Sequence, residues 1–128
     1  MQRFIITVNS NKSNHRLDQW VEFTKFRIKK LIYKPLSSSY GVLTLKINNL
    51  ISLYHIDSTY GTIGCTFTAP YIPDNTLVYS NSDSSYDYEQ TWLESRHSID
   101  VVVFEDNTEV TNAHLATNPL IFEIEFER

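Results

Sequence analysis

The sequence of 128 residues predicts an all-β protein, a single-domain antiparallel β-sandwich of seven or eight strands with jelly-roll connectivity. Three observations support this prediction. Val, Ile, Thr, Phe and Tyr dominate the segments between turns, at the expense of Ala and Glu. Several segments alternate apolar and polar residues with the period of two that half-buried strands show. Turn-forming residues separate these segments at short intervals. The length suits one core, so residues 1–128 are expected to form one domain.

The end of the chain has the clearest strand pattern. An apolar series alternates there with a mostly acidic one: Leu120, Phe122, Ile124 and Phe126 against Ile121, Glu123, Glu125 and Glu127. This alternation predicts a half-buried strand with an acidic outer face. Residues 99–104 (IDVVVF) are apolar on both faces except at Asp100, which predicts a central strand covered on each side.

The segment between these two strands is expected to be a hairpin or a long loop. It begins with the turn-forming pair Asp106-Asn107 and ends at Pro119, which disfavours a helix before it.

Further strands are predicted at residues 4–8, 43–47 and 63–68, the last ended by Pro70 and Pro73, with a weaker candidate at residues 76–79. Residues 20–33 satisfy neither the helical nor the strand period throughout, and we interpret them as a strand with a bulge near Thr24. The Ser- and Asp-rich segment at residues 80–90 is expected to be an exposed loop.

Charge is distributed unevenly along the chain. Residues 1–50 carry nine Lys and Arg against two acids, a net charge of +7, whereas residues 51–128 carry two Arg against thirteen acids, a net charge of −11. Basic and acidic strands can therefore lie side by side in one sheet and pair across it. Alternatively, they form a dipolar surface that orients the protein against a neighbouring subunit or a polyanion.

The second arrangement defines a candidate interface between subunits. A basic segment would meet an acidic face of a neighbour, and the residues concerned are Lys25, Arg27, Lys29 and Lys30 on one side and Glu123, Glu125 and Glu127 on the other. The basic segment, extended to Lys34 and interleaved with aromatic residues, is also a candidate for weak contact with nucleic acid. The overall acidity of the chain argues against high affinity for phosphate.

No group of residues has the spacing of a catalytic or metal site. Tyr54, His55, Asp57 and Ser58 contain the residue types of a catalytic triad, but neighbours so close along a chain rarely converge. His15, His97 and His114 lack metal-ligand spacing. The acidic residues Asp74, Asp83, Asp87 and Glu89 lack the glycine turn of a calcium loop. The three glycines form no phosphate-binding loop, so the sequence predicts neither an enzyme nor a cofactor.

Aromatic residues offer a second kind of candidate site. The chain has eight Tyr and two Trp, of which Tyr79, Tyr86, Tyr88 and Trp92 cluster around the predicted loop. Such residues stack on sugars and also anchor protein interfaces. A carbohydrate-binding β-sandwich is therefore the alternative to a protein that packs against other subunits.

No stretch approaches the roughly 18 apolar residues that span a bilayer, and residues 1–11 lack the pattern of a signal peptide, so no membrane contact is expected. Cys65 is the single cysteine, which excludes an internal disulfide and suits a reducing compartment.

Most of the chain resembles the small single jelly-roll virion proteins of double-stranded DNA viruses, the penton and minor capsid proteins of virophages, polinton-like viruses and giant viruses. The segments that carry the resemblance are FIITVNSNKSN (4–14), WVEFTKFRIKKLIY (20–33) leading to VLTLKINNL (42–50), and SIDVVVFEDNTEV (98–110) before NPLIFEIEFER (118–128). The resemblance implies a capsid subunit of penton, minor capsid or cement type without catalytic residues. It implies homo-oligomers that contact other capsid subunits, assembly in the host cytoplasm or nucleus, and a place in the virion. The chain is too short for the inserted protruding domain of larger members.

Overall fold

The computed structural model describes residues 2–50, 65–81 and 89–128, with the backbone alone for residues 89–96. Within these residues the elements are β1 (Gln2–Val8), β2 (Ser13–Tyr33), β3 (Gly41–Ile47), β4 (Cys65–Tyr71), β5 (Leu77–Ser80), β6 (Glu89–Glu105), β7 (Thr108–Glu109), α1 (Asn112–Thr117) and β8 (Leu120–Glu127). The predicted all-β, antiparallel, sandwich-like architecture is confirmed. No helix in this part of the chain is long and apolar enough to cross a membrane.

The strands form a curled antiparallel sheet in the order β1-β8-β2-β6-β3-β4, with β5 added beside β2 and β7 beside β6. β2 is 21 residues long and belongs to both halves of the sheet. Its first part pairs with β6, and its last part pairs with β8 and β5. Three interruptions of register along β2, each of which adds local twist, accompany this change of partner.

One of these interruptions lies at Thr24, where the sequence predicts a bulge. The strand itself begins earlier than predicted, at Ser13, because the polar residues before Trp20 pair with β6.

The concave side of the sheet encloses the core. Phe126 lies in an aromatic cluster, with ring centroids 4.6 Å from Phe23, 6.1 Å from Phe4 and 6.4 Å from Phe26. The four apolar residues of the predicted last strand are all buried. The prediction for residues 99–104 is also confirmed, because this part of β6 pairs with strands on both sides and is buried on both faces, including Val102 and Phe104.

Two local predictions are wrong. β4 runs through Pro70 to Tyr71; among the described residues it pairs only with β3, so the missing N–H of Pro70 interrupts no ladder there. The connection from β6 to β8 begins with the expected hairpin, since β7 pairs with the end of β6 across the turn at Asp106-Asn107. The six-residue helix α1 that follows was not expected before Pro119. Thr111 caps this helix by accepting a hydrogen bond from the His114 N–H. Pro119 disfavours the helical conformation only at the residue directly before it, Asn118, which is not helical.

Candidate functional site

The charged residues of the candidate interface share one sheet within a single chain. We call the side of β1, β8, β2 and β5 that faces away from the core the outer face. On it, Lys25 lies opposite Glu127, Arg27 opposite Glu125 and Lys30 opposite Glu123, while Lys29 occupies the bulge before Lys30. These residues therefore have the arrangement in which basic and acidic strands lie side by side in one sheet and pair across it. A glutamate stands beside each of three basic residues in the segment predicted to contact nucleic acid, and that contact stays a prediction.

Arg27 and Glu125 are buried, and they pair with each other within the chain. The Arg27 Nε donates a hydrogen bond to Glu125 Oε2 at 2.9 Å, and Arg27 Nη2 lies 2.9 Å from the same oxygen. Arg3 Nε lies 2.8 Å from Glu125 Oε1. One carboxylate of β8 thus bridges two guanidinium groups on the strands at its two sides, which ties β1, β8 and β2 together.

The other predicted interface residues remain on the surface. Lys30 is exposed, and Lys25, Lys29, Glu123 and Glu127 are half-buried. Lys25 Nζ lies 3.8 Å from Glu127 Oε2, a partly exposed ion pair of small net effect on stability. Whether these residues contact another subunit stays a prediction.

An aliphatic patch lies beside these charges on the outer face. Ile121 of β8 lies opposite Ile32 of β2, and Ile32 lies opposite Val78 of β5. Ile5 of β1 lies opposite Glu123, diagonal to Ile121. The exposed fractions are 74% for Ile5, 67% for Val78 and 47% for Ile32. The aliphatic patch of Ile5, Ile32, Val78 and Ile121 is therefore a contiguous apolar surface on a side of the sheet that faces solvent.

The sequence contained a signal for this patch. Each of its residues falls at a position where the alternation of its strand calls for a polar side chain, as Ile121 does in the series with Glu123 and Glu127. A single aliphatic residue at such a position is ordinary, and only the register shows that four lie together.

A second polar cluster surrounds Glu105 at the end of β6. Its carboxylate accepts hydrogen bonds from the hydroxyls of Tyr33 and Tyr71 and from the backbone N–H groups of Leu36 (2.7 Å) and Ser37 (2.9 Å). Burial and then the hydrogen bond to Glu105 raise the pKa of Tyr33. Burial is also the main cause that raises the pKa of Tyr71. Both phenols therefore stay protonated as donors, and the cluster anchors the loop between β2 and β3.

Close packing adds a steric requirement to this cluster. A Cβ atom at Gly41 would overlap the phenol ring of Tyr71 and lie 2.9 Å from Asp106 Oδ1. Gly41 is thus needed for the approach of Tyr71 to Glu105.

The predicted aromatic site is only partly described. Tyr79 is half-buried, packs edge-on against Phe67 with ring centroids 4.8 Å apart, and lies against the core. Tyr86, Tyr88 and the Trp92 side chain lie outside the described residues, as do Tyr54, His55, Asp57, Ser58, Asp83 and Asp87. Among the described residues, no three His, Cys, Asp or Glu side chains are placed to hold a metal ion.

Comparison with protein-family models, with curated proteins and with solved structures finds no match for this chain. The resemblance to small virion proteins therefore stays an expectation from the sequence pattern.

Proposed function

We propose that this chain is a non-enzymatic structural subunit that self-associates, of the capsid type that its sequence pattern resembles. The aliphatic patch is the observation that carries the proposal. Three of its side chains are about half or more exposed, and with Ile121 they occupy neighbouring strands on the outer face. Exposed apolar surface of this kind is typical of protein contact sites.

The partner that fits this surface is a second copy of the chain. A twofold contact requires a surface that complements itself. Beside the aliphatic patch, the outer face presents the cation Lys30 directly opposite the anion Glu123. Rotation by a twofold axis through the aliphatic patch can place each charge near its opposite on the other copy, while the aliphatic side chains pack together.

The size of the patch indicates weak association. Burying one aliphatic side chain completely is worth about 1.5–3 kcal/mol, and these are already partly covered. Association itself costs about 4–15 kcal/mol in lost freedom of motion. Standard interfaces use about 20–30 residues from each partner. We therefore expect a concentration-dependent equilibrium, which suits a subunit that is held in place by many neighbours at once.

The test is the molar mass in solution by light scattering over a range of concentrations, with Ile32→Lys as the disruptive change. We expect the wild-type mass to rise with concentration and the Ile32→Lys mass to stay that of a monomer. Ile72→Lys is the matched control, because Ile72 is 52% exposed but lies in the turn after β4. At high concentration the wild-type mass should approach that of a dimer, because a twofold contact through one patch closes at two copies.

Self-association is contradicted if the wild-type protein stays monomeric up to about 1 mM. At that concentration even an association free energy of about −4 kcal/mol would produce dimers. An equal loss of association in Ile72→Lys would show that the aliphatic patch is not the contact.

A further inference from the structure

The largest irregularity of the sheet creates a groove that the proposed subunit contact does not use. Pairing between β2 and β6 passes from Arg16 opposite Ser98 to Val21 opposite Arg96. Four residues of β2 (17–20) therefore stand against the single residue His97. Bulges redirect side chains and are frequent at binding sites. Here the extra residues form one wall of an open groove of about 590 Å³, a volume within the range of ligand sites.

Trp20 and His97 form an aromatic platform in this groove. Their ring centroids are 5.0 Å apart and their planes differ by 16°, an offset stacked arrangement. Trp20 nevertheless remains 56% exposed, while neighbouring Leu17 is buried. His97 stacks on one side of the indole, and the indole still presents an apolar surface to solvent. A large exposed aromatic side chain of this kind is a candidate contact for a ligand.

The polar residues of the groove supply both donors and acceptors. Arg16 offers guanidinium N–H donors, Asp18 offers carboxylate acceptors and Gln19 offers both through its amide. The charges of Arg16 and Asp18 have opposite sign, so the groove has no strong preference for an anion or a cation. All three side chains are exposed and can reach a ligand that rests on the indole.

We propose that this groove, formed by Arg16, Asp18, Gln19, Trp20 and His97, binds a neutral pyranose sugar. A pyranose ring has an apolar C–H face, which fits the indole, and a rim of hydroxyl groups, which both donate and accept hydrogen bonds. A nucleotide would also stack on the indole, but it brings phosphate to a chain of net charge −4. The groove includes no residue of the aliphatic patch, but Arg16, Asp18 and Gln19 also line a neighbouring depression with Ile5 of that patch. The sugar titration is therefore made at a concentration at which the chain is a monomer.

The experiment is a titration of the ¹⁵N-labelled full chain with methyl β-galactoside, methyl β-glucoside and N-acetylglucosamine, followed by NMR. The chain has two tryptophans, so Trp20→Phe identifies the indole N–H signal of Trp20. We expect at least one sugar to shift this signal saturably, with a Kd of about 1–10 mM, as suits a small ligand in an open site. Trp20→Ala should weaken binding at least about tenfold, which corresponds to one decade in Kd.

Two further variants keep the result clear. Asp18→Asn should weaken binding by several fold without unfolding the protein, because the side chain is exposed. Tyr40→Ala removes another exposed aromatic residue, 75% exposed and outside the groove, and should bind the sugar as the wild type does. The proposal is overturned if none of the three sugars shifts the Trp20 signal at about 50 mM, well above the expected Kd. Undiminished binding by both Trp20→Ala and Asp18→Asn, or tighter binding of adenosine monophosphate than of every sugar, would also overturn it.

Discussion

Glu125 is the residue whose environment departs most from its position in the strand pattern. It belongs to the acidic outer series of β8, yet it is fully buried between Arg3 and Arg27. Removal of one charge from a buried ion pair is costly because the other charge stays in a poorly solvated place. Glu123 has the same side chain two residues earlier but is half-buried opposite the exposed Lys30.

We predict that Glu125→Gln lowers the free energy of unfolding by about 3 kcal/mol, whereas Glu123→Gln changes it by less than about 0.5 kcal/mol. Urea denaturation of the two variants measures the difference. If both variants match the wild type, the buried ion pair does not contribute to stability as described.

The two residues show what the alternation of a strand can predict. It places Phe122 and Ile124 in the core and the glutamates on the other face, and this orientation is confirmed. It does not give the exposure of a residue on that outer face, because exposure depends on neighbours from β1 and β2 that are distant in sequence.

His15 gives the chain a dependence of stability on pH. It is half-buried on β2, with its Nε2 2.7 Å from Ser13 Oγ. Burial lowers the pKa of His15 below its usual 6.5, and the nearby carboxylate of Asp100 opposes this shift only in part. The unfolded chain therefore takes up a proton at this residue at a higher pH than the folded chain does.

It follows that the stabilisation from neutral His15 is present above pH 6.5 and is lost as the pH falls from there through the lower pKa of the folded state. We predict that His15→Gln makes the free energy of unfolding less dependent on pH between about pH 7 and pH 5, where histidine titrates. Parallel urea titrations at several pH values test this. An identical slope in both proteins contradicts it.

At the scale of elements, two asparagine side chains act in place of backbone in the ladder of β6. Asn11, in the turn between β1 and β2, donates from Nδ2 to Val103 O at 2.9 Å and accepts at Oδ1 from Val103 N at 2.8 Å. Asn49, after β3, donates to Ser98 O at 2.9 Å and accepts from Asp100 N at 3.0 Å. Each amide makes the pair of hydrogen bonds that a neighbouring strand would make. These turns are thereby fixed to the central strand.

We predict that Asn11→Asp lowers the free energy of unfolding by about 2–4 kcal/mol. The carboxylate loses the two bonds that Nδ2 donates to Val103 O and Val110 O, and it places oxygen against oxygen. Asn9→Asp, at an exposed position of the same turn, is the matched control and should change stability little. Thermal unfolding followed by circular dichroism compares them. A larger loss in Asn9→Asp would show that charge in the turn, and not the lost donors, is responsible.

Element prediction from the sequence succeeded where periodicity is strong and failed where tertiary contacts decide. Residues 120–126 and 99–104 show clear patterns, and their strands are confirmed. Residues 13–19 show a polar pattern typical of a loop, but β6 pairs with several of them. The groove beside Trp20 forms because this pairing is interrupted between Arg16 and Val21. The sequence pattern does not show that interruption, so it indicated Tyr79 and not Trp20 as a ligand contact.

At the scale of the whole molecule, the charge asymmetry of the chain is explained largely within one sheet. The basic end of β2 and the acidic strand β8 are neighbours, so charges that are far apart in sequence lie opposite each other. The sequence shows the asymmetry and allows basic and acidic strands to pair across one sheet. Only the register shows which charges pair across the strands.

The pairing of β1 with β8 also determines how the molecule responds to mechanical load. Gln2 lies opposite Phe126 and Val8 opposite Leu120, so the two ends of the chain emerge at the same end of one strand pair. A force that pulls these ends apart acts across the ladder and breaks the hydrogen bonds of one residue pair after another. A force between residues 2 and 118 instead runs along both strands and loads the whole ladder together. In optical-tweezers measurements we expect the first geometry to open at a distinctly lower force, and equal forces would contradict this. A molecule tethered through its two ends would therefore yield by separation of β1 from β8 while the rest of the sheet is still intact.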